Sequence, residues 1–219
     1  MTANGAWKLR SKTKTVLLAS GFGGILFVTT FVVLGLITPA YDSLHGTISA
    51  LEFTSAADLQ RLNFLLFGLL TITFAVALLR ELQSGRGSVT IPVFQALAGV
   101  GLIGDAIFIH EPLHLVCDLI AFNASMAVLL LFAWRFHGDT RWPGWTRYCI
   151  LTVILMMGFL SAFGIALRLG GPAGLFEKLA TLTRAIWSVT LVRSLYRGRQ
   201  LRYPLSSDRP GQPQVEPAV

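Results

Sequence analysis

The chain has 219 residues, of which 53% are hydrophobic and only 13% charged, with a formal net charge of +7 and a mean hydropathy of +0.64. Soluble globular chains carry roughly 25% charged residues, so these values exclude an ordinary water-soluble domain. They also exclude a nucleic-acid binder, because no soluble module gathers the basic residues on one face.

Residues 1–14 form a basic head carrying Lys8, Arg10, Lys12 and Lys14 and no acid. Residues 15–37 are then uncharged. A run of about 18 or more apolar residues can cross the ~30 Å hydrocarbon layer as a helix. This run is too long for a signal-peptide core and no A-x-A site follows it, so it is expected to remain as an anchor. The loop TPAYDSLHGTISALEFTSAADLQR leads to a second uncharged run, 62–79, which is followed by Arg80 and Arg86. A third run, 91–109, is broken only by Asp105, and a fourth, 113–134, only by His114 and Asp118. Arg135, Arg141 and Arg147 precede a fifth uncharged run, 148–167. A sixth, 175–196, is interrupted by Glu177, Lys178, Arg184 and Arg193. Residues 197–219 are basic and then proline-rich, which predicts a disordered tail. None of the runs alternates as barrel strands do.

Lys and Arg in short connections stay on the cytoplasmic side. The basic clusters all fall on one side only if the sixth segment also crosses. The expected architecture is therefore all-α: a polytopic bundle of six transmembrane helices over residues 15–196. Both termini would be cytoplasmic, and the membrane the plasma (inner) membrane. The positive charge then follows from threading and from attraction to anionic headgroups.

Several motifs have bland readings. Gly99 to Gly104, GVGLIG, matches the dinucleotide fingerprint, but that motif works only where a strand turns into a helix. Inside a span its glycines let helices pack closely, and so do Gly21, Gly23 and Gly24. Asn123-Ala124-Ser125 is a glycosylation sequon at membrane depth. Ser55 to Asp58 resembles a capping box before the second helix. Cys117 and Cys149 fall at opposite depths, too far apart for a disulfide.

Seven of the eleven acids gather at the end opposite the basic clusters: Asp42, Glu52, Asp58, Asp105, Glu111, Asp118 and Glu177. Three of the four histidines, His45, His110 and His114, are there too. Pro112 suits the first turn of the fourth helix, and Glu111 beside it suits the helix dipole. His114 and Asp118 are one turn apart on one face. Asp105 and Asp118 cannot stand charged in lipid and must face the bundle interior. Arg184 is the expected partner, with Asn123 joining the network. The predicted cluster is Asp105, Asp118, Asn123 and Arg184, roofed by His45, His110 and His114.

The order YDSLHGTISALE, QRLNFLLFGLL, GVGLIGDAIFIHEPLH resembles a bacterial and archaeal membrane family known as domain of unknown function 998. The resemblance covers mainly residues 41–118. It matches Asp42 to the family's loop acid and Ser49 to its serine. Asn63 corresponds to a helix-opening asparagine, Glu111-Pro112 to an acidic proline turn, and His114 to the histidine that follows. The chain departs from the pattern at Ala50, where the family has an acid, with Glu52 displaced. The resemblance implies six helices and an outer-face cluster, and no activity. A fainter likeness is to membrane hydrolases typified by alkaline ceramidases, which combine Ser, Asp and three His around zinc. Ser49, Asp105, His45, His110 and His114 supply those residue types.

The first reading is a membrane protein without a catalytic centre. Its outer-face pocket would bind a membrane lipid or small ligand, or dock a protein subunit or second copy. The alternative is a metal-dependent lipid hydrolase. There His45, His110 and His114 would bind metal with Asp105 or Asp118, and the catalytic candidates are His114, Asp118 and Ser49. No cofactor motif is present, and zinc is the metal these residues suit. A transporter is disfavoured, because the chain shows no repeated halves and no paired broken helices.

Overall fold

The computed structural model describes residues 13, 15–82, 84–110 and 112–197. The basic head, the tail and Glu111 lie wholly or almost wholly outside the described residues. Six long helices follow one another, with no strand among the described residues. They are α1 Thr15–Ile37, α2 Ala57–Glu81, α3 Thr90–Ile107, α4 Leu113–Phe136, α5 Trp145–Leu169 and α6 Ala173–Tyr196. A short 3-10 turn, Ser49–Phe53, interrupts the long connection between α1 and α2. The first five helices are long and apolar enough to cross a membrane. Their outward faces carry Leu, Ile and Val: on α2, Leu62, Leu65, Leu66, Leu69, Val76 and Leu79 are all exposed. A large exposed apolar surface on each of these five helices belongs in lipid. The chain is a multi-pass helical membrane protein.

The sixth helix carries Glu177, Lys178, Arg184 and Arg193, and the fold explains the first three. The Glu177 carboxylate accepts the Ile48 N–H at 2.8 Å. Lys178 Nζ donates to the carbonyls of Ser43 and Gly46 at 2.9 and 2.8 Å. Arg184 donates to Gln95 on α3 at 2.8 Å. All three are turned into protein rather than lipid, as a membrane-embedded charge requires.

Each helix packs on its neighbours in sequence, and α6 also packs on α1, so the six close into a ring. Glycines set the spacing. A Cβ on Gly99 would lie 2.8 Å from the Gly68 carbonyl oxygen, and one on Gly101 would lie 2.8 Å from Ala121 N and Cys117 O. Thus α3 is pressed against α2 through one glycine pair and against α4 through Gly101 and Gly104. The ring closes where Gly21 and Gly24 meet Val192 and Ala185, and Ser188 Oγ donates to the Gly21 carbonyl at 3.1 Å. These are the close helix approaches that small residues permit in a membrane. The packing reading of GVGLIG and of the α1 glycines is therefore what the fold shows.

Two expectations fail locally. The capping box is absent: Ala56 is the N-cap of α2 with no side-chain cap, and Thr54 Oγ1 instead receives the Ala56 N–H at 3.1 Å. The helix starts one residue later than the capping box requires, with Ala56 rather than Ser55 at the N-cap. Pro112, in turn, stands at the N-cap of α4, one position before the predicted first turn. Both cysteines are free, as their depths implied.

The two ends of the ring are packed differently. At the basic end, Phe136 stacks on Trp142 at 4.4 Å and Trp145 meets Trp142 edge to face at 4.9 Å, within a core that includes Leu78, Leu82 and Phe132. At the acidic end, a smaller core of Phe27, Phe31, Leu34, Ile48, Leu51 and Phe64 sits beneath the α1–α2 connection. That connection is stitched to the start of α6, where Leu175 N donates to Leu44 O at 2.9 Å.

Candidate functional site

Inside the ring, toward the acidic end, lies a cavity of about 80 Å³. A water needs some 10–15 Å³ measured this way, so the space holds several waters or a small polar group. Aromatic rings of Phe27, Phe64, Phe67, Phe74 and Phe122 form much of its wall. Asp105, Asp118, Glu177, Gln95 and Arg184 supply the polar part.

The polar residues form two layers, set by their distance from the helix ends. Asp105 is two residues before the end of α3, Asp118 five into α4 and Glu177 four into α6. At 1.5 Å per residue all three lie within about 3–8 Å of the acidic end. Arg184 is eleven residues into α6 and Gln95 twelve before the end of α3, which places both at about 16–18 Å. Arg184 therefore meets Gln95, not a carboxylate, and lies 4.7 Å above the Trp187 ring. The expected Arg184–carboxylate pair is corrected by this depth mismatch. Counting residues from the helix ends would have found Gln95.

In the acidic layer, Asp105 is 1% exposed and neither carboxylate oxygen accepts a hydrogen bond. His114 is buried, and its Nδ1 is 2.9 Å from the Phe108 carbonyl. A carbonyl only accepts, so the neutral ring carries its hydrogen on Nδ1 and presents the Nε2 lone pair. That Nε2 makes no hydrogen bond and stands 3.7 Å from Asp118 Oδ2. One ligand atom each from Asp105, His114 and Asp118 lies within 4.8 Å of the others. The close α3–α4 contact at Gly101 and Gly104 makes this meeting of two helices possible.

Glu52, from the 3-10 turn, is buried above them, and both its oxygens lack a hydrogen bond. Burial raises its pKa to about 7; nearby His114 and Arg61 pull it down and Asp118 pushes it up. Arg61 at the start of α2 has a buried Nε without a partner. The sequence groups Glu52 and Glu177 with the acids of this end without marking either as buried. Glu52 lies in the 3-10 turn before α2, and no periodicity marks a residue in such a turn as inward-facing.

Other candidate residues lie elsewhere. Asp42 and His45 form an exposed loop pair at 2.7 Å, with Asp42 also accepting the Leu44 N–H at 2.8 Å. These donors hold the Asp42 carboxyl below its ordinary range. His110 is exposed, 6.0 Å from the Phe53 ring. Among the described residues, the group with metal-ligand spacing is Asp105, His114 and Asp118, without His45 or His110. Ser49 Oγ is 3.2 Å from Thr47 Oγ1. Asn63 is buried and donates to the Phe27 carbonyl at 3.2 Å, tying α2 to α1. Asn123 faces outward and donates to Leu119 O at 2.7 Å. It stands five residues beyond Asp118, about 140° further round the helix, which is why it does not join the cluster.

Residues 21–194 match the model of a family described as "Protein of unknown function (DUF998)". No curated protein and no solved structure matches the chain.

Proposed function

This chain belongs to the DUF998 family, and for it we propose that the cavity binds the polar end of a small ligand or membrane lipid. The observation carrying this reading is the cavity wall itself. Asp105 has two buried oxygens, and Arg184 a buried Nε, none with a protein partner, on the wall of a space bounded by aromatic rings. Buried polar atoms are normally satisfied. A pocket with apolar walls and a few unsatisfied polar groups is the usual form of a ligand site. Carboxylates at one level and a guanidinium about 10 Å deeper suit a zwitterion, with its amine toward the acids and its anion toward Arg184. In this reading the basic connections face the cytoplasm, and the ligand would enter from the opposite, outer side of a plasma membrane. A subunit or second copy could dock against the same end.

The test is lipid and small-molecule mass spectrometry on protein purified in mild detergent. The wild type should carry about one defined amphiphile or small zwitterion per chain. Ser125→Phe, which fills the cavity from α4, should lower that occupancy several-fold without lowering the melting temperature. Equal occupancy in both proteins, or none in the wild type, would sink the reading.

The geometry favours the metal-dependent hydrolase less. Ser49 is hydrogen-bonded within its own turn, and two of the three expected metal histidines are exposed.

A further inference from the structure

We propose that Asp105, His114 and Asp118 form a binding site for one divalent transition-metal cation, with zinc as the best match. Four features of the site point there, and none depends on a ligand occupying the cavity.

The first is distance. His114 Nε2 and Asp118 Oδ2 are 3.7 Å apart, too far for a hydrogen bond. Zinc binds nitrogen and carboxylate oxygen at roughly 2.0–2.2 Å. Two ligands of one ion are then about 3.4 Å apart across a tetrahedral edge and about 4.2 Å apart when opposed. The observed gap falls between these values, and the third ligand atom lies within 4.8 Å of both.

The second is tautomer. Metal-bound histidines almost always donate their other ring N–H to a carbonyl or carboxylate. His114 does this through the Phe108 carbonyl at 2.9 Å, which aims the Nε2 lone pair at the two acids. The Phe108 carbonyl belongs to the short α3–α4 connection, so the fold holds ring and acids together.

The third is an unpartnered carboxylate at the centre of the acidic layer. Asp105 is 1% exposed and its oxygens accept no hydrogen bond, while Glu52 and Glu177 are buried nearby. The Arg184 guanidinium is turned to Gln95 instead. Carboxylates gathered in a low-dielectric interior repel one another, and Asp105 has no hydrogen-bond donor to offset this. A divalent cation removes that repulsion.

The fourth is ligand type. Carboxylates alone would suit calcium or magnesium, but an imidazole nitrogen selects zinc or a neighbouring first-row ion. Three protein ligands leave a coordination position open. Asp105 and Asp118 both line the cavity, so that position faces the cavity, where water can complete the sphere.

The experiment uses the full chain, purified in detergent with a tag free of histidine. The protein is equilibrated with zinc, desalted and analysed by elemental mass spectrometry; cobalt-substituted protein is read by its visible absorption. The wild type should hold about one zinc per chain, and so should His45→Ala. His114→Gln and Asp118→Asn should bind at least about tenfold more weakly, since even an outer-shell change commonly costs that much. They should also lose the cobalt bands. Asp118→Asn, at a side chain 30% exposed, keeps the test open if the more buried His114→Gln fails to fold. Circular dichroism and gel filtration check both variants. No zinc in the wild type, equal zinc in His114→Gln, or displacement of zinc by equimolar calcium would each overturn the proposal. Lipid occupancy measured on the zinc-free protein separates this result from the ligand-binding reading, which can stand or fall alone.

Discussion

At the basic end of the bundle Arg135 is 2% exposed, and its guanidinium donates to the carbonyls of Arg86 and Ser84 at 2.6 and 3.1 Å. At the acidic end Asp105 is 1% exposed and accepts nothing. The contrast extends beyond these two residues. Among the described residues, the buried side-chain atoms without partners belong to Glu52, Gln60, Arg61, Asp105, His114 and Arg184. All lie from the acidic end to mid-depth. The basic end has stacked aromatics and the Asp139–Arg141 pair at 2.6 Å. One end is packed for stability. The other carries unsatisfied polarity that destabilises the isolated chain, which is how binding sites are commonly built.

Mutations at the two ends should therefore change stability in opposite directions. The largest loss is expected for Trp142→Ala, which empties a 2% exposed site in the aromatic stack. About 3–5 kcal/mol should be lost, read as a fall in detergent melting temperature on the order of 10 °C. Gly101→Val should follow, at about 1–3 kcal/mol, because the added carbons meet α4 backbone. It should also abolish metal binding by moving Asp105 away from Asp118. An unchanged melting temperature would show that α3 and α4 do not pack as described.

Asp105→Leu, measured with a chelator present, should do the reverse and stabilise the protein by about 1–3 kcal/mol. Replacing an unpartnered buried carboxylate by an apolar side chain removes a desolvation cost. A large loss here would break the comparison between the ends. Glu52 gives a pH signature of similar or smaller size, again in chelator. Its pKa rises on folding from 4.5 to about 7, so the folded state holds the proton more tightly. Stability from this group is full below about pH 4.5 and declines as pH rises to about 7. Glu52→Gln should flatten that part of the melting profile. The smallest effect is expected for His45→Ala, an exposed loop pair, with no measurable change in melting temperature or zinc content.

The membrane class, the six helices and the acidic end could be read from residue order alone. A span announces itself by length and apolarity, and basic connections announce their side. The pairing of helices and the partners of each charge could not. Arg184 was legible as buried but not as Gln95's partner, because that depends on relative depth. His114 and Asp118 were legible as a face of one helix. Their meeting with Asp105 needed α3 and α4 to approach at Gly101 and Gly104.

By itself, then, the sequence determined which segments leave water. Hydrophobicity acts locally and sums along a run. Only the tertiary structure decided which polar groups are satisfied, because that depends on distances of a few ångströms between residues far apart in the chain. His45 and His110, set beside His114 by composition, stand in exposed loop and turn positions. Asp105 and Asp118, thirteen residues apart, share one buried site because a tight turn folds α4 back along α3.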